Sequence, residues 1–382
     1  MRIFQKFLCV LVALCVGLSF LAPSAEADAV SLPQVSARSA ILISADDGEV
    51  FYAKNPDERL GPASTTKLMT ALTVRSFFSD PDVSVKIPKE AVGIEGSSIY
   101  LCEGETLSVR ELLFALLLSS ANDAATALAI TSAGSVEAFC DKMNALANEW
   151  GLKNTHFENP HGLSHEGHYT TARDLAEIAR RALDDPLLSE IVATYKKTIP
   201  MDGTPDARLL VNHNRLLRTY EGAIGMKTGF TRATGRTLVS AAERDGLRLV
   251  AVTLNAPDDW RDHTAMLDFG FSSYERVTLV EAGEFCHSLP VVGGVTDSVT
   301  LKNSEPITLI LPKDRADAVC TVLSDARFAY ATVREGEVLA TLRVECEGKT
   351  CSVELIASKS IQSKTPEKQG FWKKLLSFFR RK

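Results

Sequence analysis

Long apolar runs are scarce in this chain. After the first 27 residues no second one follows, so the sequence predicts a body that does not span a membrane. The chain has no CxxC pair and no HExxH, the spacings of common zinc and thiol redox sites. Hydrophobic residues make up 45% and charged residues 24%, which fits a globular protein of two or more domains.

A basic face is also missing from the body of the chain. The whole chain has a net charge of −6. Residues 359–382 carry eight basic residues and one acid, and residues 1–27 carry two and one, so the segment between them has a net charge of −14. Because phosphate binding needs a basic surface, this charge argues against a nucleic acid partner.

The first 27 residues have the three parts of a secretory signal peptide. Arg2 and Lys6 precede an apolar run, and Ala25-Glu26-Ala27 is a small-x-small cleavage site. A retained membrane helix is the alternative, but a run of about 15 residues is short for spanning. We therefore expect export with cleavage, to the outer face of the cytoplasmic membrane in the periplasm or at the cell surface.

Six cysteines remain after the signal segment. In an exported protein they could pair, and the segment "CEGKTC" suggests a bridge between Cys346 and Cys351 across a tight turn. Small buried apolar residues are an equally good interpretation. The sequence does not decide between the two.

Strand and helix patterns alternate up to about Arg276. Apolar runs flank Asp46-Asp47-Gly48, and again Asp245-Gly246, which predicts two β-hairpins. Segments 62–78 and 135–154 have helical spacing, and the chain is almost entirely apolar from Leu112 to Leu118 and again from Ala124 to Ile130, with the polar "SSAND" between them. A polar break inside buried helices is costly unless it has a function.

Three short motifs follow one another along this part of the chain. Ser64 and Lys67 lie three residues apart at a predicted helix start, so the lysine can reach the serine hydroxyl and act as its base. Alone this spacing is weak, since Ser64 could also be a helix N-cap. The "SSAND" break adds Ser120 and Asn122, and a strand opens with Lys227-Thr228-Gly229. The ordered trio is a strong signal.

With these motifs the chain resembles the serine D-alanyl-D-alanine carboxypeptidases, the low-molecular-mass penicillin-binding proteins. Segments 159–179 ("NPHGLSHEGHYTTARDLAEIA"), 212–217 ("NHNRLL") and 227–246 resemble the same family, and so does a β-rich module followed by an amphipathic tail. The resemblance runs from about Leu32 to the C-terminus. It implies an α/β penicillin-binding-protein/β-lactamase-like domain, an antiparallel sheet of five strands flanked by helices, followed by a small all-β domain.

The resemblance also implies a role for each motif residue. Ser64 would attack the carbonyl between the last two D-alanines of a peptidoglycan stem peptide, with Lys67 as general base and Ser120 as proton relay. Asn122, Lys227, Thr228 and Gly229 would bind the substrate. The backbone N–H groups of Ser64 and Phe230 would form the oxyanion hole, and β-lactam antibiotics would inhibit by acylating Ser64. No cofactor is implied.

We predict four segments: a signal peptide at 1–27, a catalytic domain at 28–276, a β-rich domain at 277–358, and a linker and tail at 359–382. In the tail, "GFWKKLLSFFRRK" as a helix separates aromatic and basic faces, which is typical of a helix lying on an anionic membrane. The alternatives are a disordered basic tail or a helix docked on protein.

Two other functions are compatible with the same motifs. A β-lactamase shares the acylation residues but needs a base for deacylation, and no Glu-x-x-x-Asn segment lies between Ser120 and Lys227. A non-catalytic peptidoglycan or β-lactam sensor would not need all three motifs. His161, His165 and His168 have ligand-like spacing with His156 nearby, but their segment is loop-like and the serine chemistry needs no metal, so we predict no metal site.

Overall fold

The computed structural model describes residues 31–201, 203–314, 320–325 and 327–364. The predicted signal peptide and nearly all of the predicted tail lie outside the described residues. In the part of the chain that is described, no helix combines the length and the apolar character needed to cross a bilayer.

Up to residue 273 the chain combines helices with an antiparallel sheet. The strands are β1 (Ser39–Ser44), β2 (Val50–Lys54), β3 (Ser84–Lys86), β4 (Thr106–Ser108), β5 (Lys196–Pro200), β6 (Ala207–Val211), β7 (Ala223–Gly225), β8 (Thr228–Thr231), β9 (Gly235–Arg244) and β10 (Leu247–Leu254). The helices are α1 (Lys67–Phe77), α2 (Val109–Leu118), α3 (Asn122–Ala133), α4 (Val136–Glu149), α5 (Ala172–Asp184), α6 (Pro186–Ala193), α7 (Leu216–Thr219) and α8 (Asp259–Ser273).

The central sheet has the strand order β2-β1-β10-β9, and β7 and β8 pair with successive parts of β9. The fifth position is therefore one edge strand in two segments, interrupted at Met226, which has a φ of 92°. Both predicted hairpins are confirmed. β9 and β10 are joined by Asp245 and Gly246 with φ of 50° and 76°, the left-handed pair that a tight two-residue turn requires.

Helices cover both faces of this sheet. Ile41, Val250 and Val252 belong to the core that contains α1 to α6, whereas Leu42 and Ala251 belong to a second core against α8. Successive side chains of a strand point to opposite faces, so one apolar strand supplies both cores. The near-continuous apolar runs of β9 and β10 are thus explained by burial on both sides.

After α8 the chain is all β. Its strands are β11 (Tyr274–Val280), β12 (Cys286–Val292), β13 (Ser298–Asn303), β14 (Ile307–Pro312), β15 (Cys320–Ser324), β16 (Ala329–Tyr330), β17 (Val338–Cys346) and β18 (Lys349–Ala357). One sheet has the order β15-β17-β18-β13-β12-β16, and β11 pairs with β14. We refer to residues 274–364 as the β-module; an isolated bridge from Gly294 reaches Ser363, beyond the end predicted at 358.

The suggested Cys346–Cys351 bridge is wrong. Cys346 forms a disulfide with Cys320, its direct partner across β15 and β17, with 4.3 Å between the Cα atoms. Cys351 has a free thiol and lies opposite Val344 in the β17–β18 hairpin. Cys346 and Cys351 are therefore not opposite each other in the β17–β18 hairpin, whereas β15 places Cys320 directly opposite Cys346.

Candidate active site

Ser64 lies in a short 3-10 helix, Ala63–Thr66, that leads directly into α1. In a 3-10 helix residues i and i+3 lie directly above each other, so Ser64 and Lys67 project to the same side. The Lys67 Nζ is 3.0 Å from the Ser64 Oγ. Ser64 makes no N-capping bond, so the alternative that it serves only as a cap is wrong.

The amino group of Lys67 is completely buried and has three polar neighbours. It lies 2.7 Å from the Asn122 Oδ1 and 2.7 Å from the backbone oxygen of His161, in addition to Ser64. Burial lowers the pKa of Lys67 well below its ordinary value, and the charge of Lys227 lowers it further. A neutral amine donates two hydrogen bonds. The Asn122 Oδ1 and the His161 oxygen accept them, so the nitrogen lone pair remains available to accept the Ser64 proton.

The loop that supplies the His161 carbonyl packs tightly behind Ser64. Gly162 has a φ of 87°, and a Cβ there would lie 1.8 Å from the Ala63 carbonyl oxygen. Only glycine permits this close approach. The Thr70 hydroxyl donates to the Pro160 oxygen at 2.6 Å and fixes the same loop to α1.

The polar break between α2 and α3 adds the second motif. Ser120 has a φ of 59°, an uncommon conformation for a residue with a side chain, and it is buried beside the cleft. Asn122 begins α3; its Nδ2 donates to the Glu95 oxygen at 2.6 Å while its Oδ1 accepts from Lys67. Both ends of the amide are thereby fixed.

Asp123 supports this loop, and the sequence motifs did not identify it. Its buried carboxylate accepts from the Ser98 hydroxyl at 2.6 Å and from the backbone N–H groups of Ile99 and Leu101. These bonds hold segment 98–101 beside the cleft. In the sequence, an acid that directly follows "SSAN" between two apolar runs was the signal that could have identified Asp123.

Lys227 and the β8 edge bring the third motif close to Ser64. Lys227 is fully buried, its Nζ donates to the Thr228 oxygen at 2.8 Å, and burial lowers its pKa to about 7. A Cβ on Gly229 would lie 2.8 Å from the Ser64 nitrogen and 2.3 Å from the Thr237 Oγ1. Glycine is thus needed for the strand to approach the Ser64 turn.

The hydrogen-bond pattern of β8 shows where the Phe230 N–H points. Lys227 and Val239 exchange both backbone hydrogen bonds, at 3.0 and 2.9 Å, and the same register pairs Phe230 with Arg236. Bonded and non-bonded pairs alternate in an antiparallel ladder, so the Phe230 N–H points away from β9. Among the described residues β8 has no other strand partner, and this N–H faces the open edge.

A cleft of about 350 Å³ connects these elements. It is lined by Ser64, Ser97, Ser120, His213, Thr228, Gly229, Phe230, Arg236, Asp259 and Trp260. Lys67, Asn122 and Lys227 lie beneath it as buried groups. A larger cavity of about 720 Å³, beside Pro62 and Ala63, contains none of the motif residues.

Several cleft residues were not identified from the sequence. Arg236 and His213 add basic groups beside Thr228, and Arg215 stacks over the Trp260 ring at 5.0 Å. Burial raises the pKa of the Asp259 carboxyl and lowers that of His213. Arg236 lies on β9, six residues after Phe230. Its position just after the turn between β8 and β9 is the sequence feature that could have suggested it.

Each histidine of segment 156–168 has a hydrogen-bonding role in its loop. The His168 Nε2 is 2.9 Å from the Thr66 Oγ1, and its Nδ1 accepts from the Glu158 N–H. The Nδ1 of His161 accepts from the Leu163 N–H. Within the described ranges no group of three metal-binding side chains is found.

Comparisons with known proteins show which family the chain resembles. The sequence model of a family described as D-alanyl-D-alanine carboxypeptidase matches residues 26–258. The chain is 35% identical over 337 residues to D-alanyl-D-alanine carboxypeptidase DacF of Bacillus subtilis, covering 86% of each chain. It is 31% identical to D-alanyl-D-alanine carboxypeptidase DacA of Escherichia coli strain K12, over 84% of this chain and 82% of that one.

Solved structures extend the similarity through the β-module. A peptidoglycan synthesis regulatory factor (PBP3) from Streptococcus pneumoniae matches with a TM-score of 0.75 and 26% identity, over 86% of this chain and all of that one. Penicillin binding protein 5 from Haemophilus influenzae matches with a TM-score of 0.70 and 28% identity, over 87% and 99%. The expected fold class is confirmed.

Proposed function

We infer that this chain, which belongs to the D-alanyl-D-alanine carboxypeptidase family, removes the terminal D-alanine from peptidoglycan stem peptides through an acyl-enzyme on Ser64. The observation that carries this inference is the Lys67 amine, which is buried, depressed in pKa and 3.0 Å from the Ser64 hydroxyl. That arrangement provides a base for an otherwise weak nucleophile.

In the acylation step Lys67 accepts the Ser64 proton as the serine oxygen attacks the scissile carbonyl carbon. The N–H groups of Ser64 and Phe230 stabilise the negative charge that develops on the carbonyl oxygen. When the C–N bond breaks, the departing D-alanine nitrogen takes up a proton, which Ser120 is placed to relay from Lys67. The ester on Ser64 then reacts with water, which releases the shortened peptide and restores the hydroxyl.

Substrate orientation comes from the basic side of the cleft. The terminal carboxylate is an anion, and the buried Lys227 with the Thr228 hydroxyl provides charge and a donor for it. We assign the contact with the substrate amide to Asn122, whose side-chain amide is held in a fixed orientation by Glu95 and Lys67. A β-lactam presents a similar carbonyl and carboxylate, so it acylates the same serine.

The family acts on the cell wall, outside the cytoplasm. We further propose that residues 1–27 direct export and that the tail at 359–382 lies on the outer face of the cytoplasmic membrane. The sequence of the tail supports this proposal through its separation of aromatic and basic residues. The enzyme would then remain close to newly made peptidoglycan.

The test is acylation of the mature chain, residues 28–382, by benzylpenicillin, followed over hours by intact-protein mass spectrometry, with D-alanine release from a stem pentapeptide measured in parallel. Ser64→Ala should form no adduct and release no D-alanine. Ser76→Ala, at the far end of α1, is the matched control and should behave as wild type. A wild-type adduct that decays within seconds would instead indicate a β-lactamase, and no adduct with no D-alanine release would indicate a binding protein.

A further inference from the structure

One edge of the β-module exposes a group of apolar side chains. We call Val292, Val295, Phe328 and Tyr330 the edge patch; their exposed fractions are 52%, 57%, 51% and 69%. The Phe328 and Tyr330 rings contact each other edge to face, with centroids 5.3 Å apart. Isolated exposed apolar residues are common, but two exposed aromatic rings in contact, with an exposed valine paired to one of them, are typical of a surface that binds a partner or a membrane.

Strand pairing explains why these residues share one surface. β12 and β16 run parallel, and Val292 is the direct partner of Tyr330. Directly paired residues of neighbouring strands project to the same face. Phe328 lies just before β16, and its ring contacts the Tyr330 ring. Val291, the neighbour of Val292, points into the core and is buried. The edge patch is therefore the uncovered face of this sheet edge.

The described chain ends beside the edge patch. The Lys364 N–H donates to the Gly293 oxygen at 2.8 Å, and the Val295 N–H donates to the Gln362 oxygen at 2.8 Å. Residues 365–370 then connect to Phe371, the start of the tail's aromatic and basic sequence. Six residues reach at most about 20 Å, so a tail lying on a membrane keeps the edge patch within that distance of the lipid.

We propose that the edge patch is a second membrane contact, which inserts into the lipid–water interface beside the tail. This proposal rests on the membrane part of the proposed function, not on the reaction. Aromatic and branched apolar side chains gain free energy when they leave water for the interface, and Tyr330 can keep its hydroxyl in the polar layer. Lys364 pairs with Asp297 at 3.0 Å, which offsets the charge of an acid close to this edge.

Binding of the mature chain to vesicles of phosphatidylglycerol and phosphatidylcholine tests the proposal. We expect the double variant Phe328→Ser/Tyr330→Ser to lower the partition coefficient at least about tenfold, given the apolar area removed from the interface. The matched control is Val322→Ser/Leu323→Ser, which alters two half-exposed apolar residues of β15 at the opposite edge of the same sheet. Its partition coefficient should stay within about twofold of wild type, because that edge does not face the lipid.

Hydrogen–deuterium exchange in the same samples locates the contact. Residues 291–295 and 327–333 should become protected only when vesicles are added, and the tail variant Leu375→Glu/Phe379→Glu should lose most of that protection. Equal vesicle binding by the edge-patch variant and wild type would overturn the proposal while leaving the tail anchor standing.

Two further outcomes would also overturn it. Protection without lipid that disappears in the tail variant would mean that the tail docks on the edge patch. Protection without lipid that grows with protein concentration would mean that a second copy of the chain occupies it. Failure of the wild type to bind vesicles would remove both membrane contacts, whereas the penicillin and D-alanine assays would still report on the reaction independently.

Discussion

The two sheets of this molecule differ in how they are covered. In the central sheet β10 is buried along almost its whole length, with helices on both faces, whereas in the β-module β17 alternates between buried and exposed residues. The helices and the first sheet can therefore enclose fully buried amino groups, such as those of Lys67 on α1 and Lys227 between β7 and β8. The second has one open face and provides a surface instead.

This difference matches the division that we propose between the reaction and membrane attachment. A lysine loses its proton near neutral pH only where water is excluded, and that exclusion needs protein on every side. None of the described lysines of the β-module is fully buried: Lys302 lies at the surface, and the most enclosed one, Lys349, is partly exposed and pairs with Glu49. The predictions below test this division, beginning with the largest effect.

Removal of the Lys67 amine should have the largest effect. We expect Lys67→Met to lower the second-order rate constant of acylation by penicillin by about 10²–10⁴, the usual value of a general base. The measurement is stopped-flow or quenched mass spectrometry, with thermal unfolding to confirm the fold. Lys302→Met in the β-module is the control and should acylate at the wild-type rate; a Lys67→Met rate within a factor of about three of wild type would contradict the assignment of the base.

Loss of the Cys320–Cys346 disulfide should destabilise the β-module without slowing the reaction. Its 26-residue separation predicts a cost of up to about 3.5 kcal/mol for Cys320→Ala/Cys346→Ala. Urea unfolding followed by exchange of β-module amides measures this cost, and penicillin acylation should remain unchanged. Because Cys351 is already free, Cys351→Ala should alter neither quantity. A fall in acylation rate would show that the two sheets are coupled.

The same Val→Ala truncation should lower the free energy of unfolding more in the central sheet than in the β-module. Val250→Ala in β10 should lower the free energy of unfolding by about 2 kcal/mol, since it removes two buried methyl groups and leaves a cavity. Val322→Ala in β15, where half of the side chain is exposed, should cost less than about 0.5 kcal/mol. Urea titration with unchanged m-values measures both. Similar costs would mean that the β-module sheet is covered in solution.

The two buried lysines should impose opposite limbs on the pH profile of kcat/KM. Lys67 is active when neutral, so activity rises as pH increases through its strongly lowered pKa. Lys227 binds the carboxylate when charged, so activity falls as pH rises through about 7. Lys227→Arg should move the falling limb upward by more than about one pH unit, since a guanidinium stays protonated.

Two controls isolate that limb. A substrate whose terminal carboxylate is replaced by an amide should lack the falling limb, because no anion needs the Lys227 charge. His213→Gln should leave the limb in place, because burial lowers the pKa of His213 below its ordinary value and any effect falls on the acid side. A falling limb that is unchanged in Lys227→Arg would assign it to another group.

Much of the fold followed from patterns a few residues long. Three features were visible in the sequence: the Asp245-Gly246 hairpin, the buried pair α2 and α3 with its polar break, and the change to short alternating β-like segments after Arg276. The three motifs also predicted which serine and lysines meet. Local patterns suffice here because turn residues and apolar spacing act within one element.

Other parts of the site depend on residues distant in sequence. Lys67 is oriented partly by the backbone oxygen of His161, and a carbonyl has no sequence signature. The cleft gains Arg236 and Trp260 only because β9 and α8 fold beside it. The prediction of the disulfide was wrong for the same reason, since spacing within a hairpin does not reveal which strand lies alongside it.

By itself the sequence determined the order of the elements and the family-like motifs, and it predicted Ser64 as the nucleophile. Only the tertiary structure decided that the Lys67 and Lys227 amines are buried, that the Phe230 N–H faces the open edge, and that Cys320 is the partner of Cys346. The physical reason is that pKa, hydrogen-bond direction and disulfide pairing depend on which groups surround an atom in space. Those groups come from segments as distant in sequence as Lys67 and Lys227.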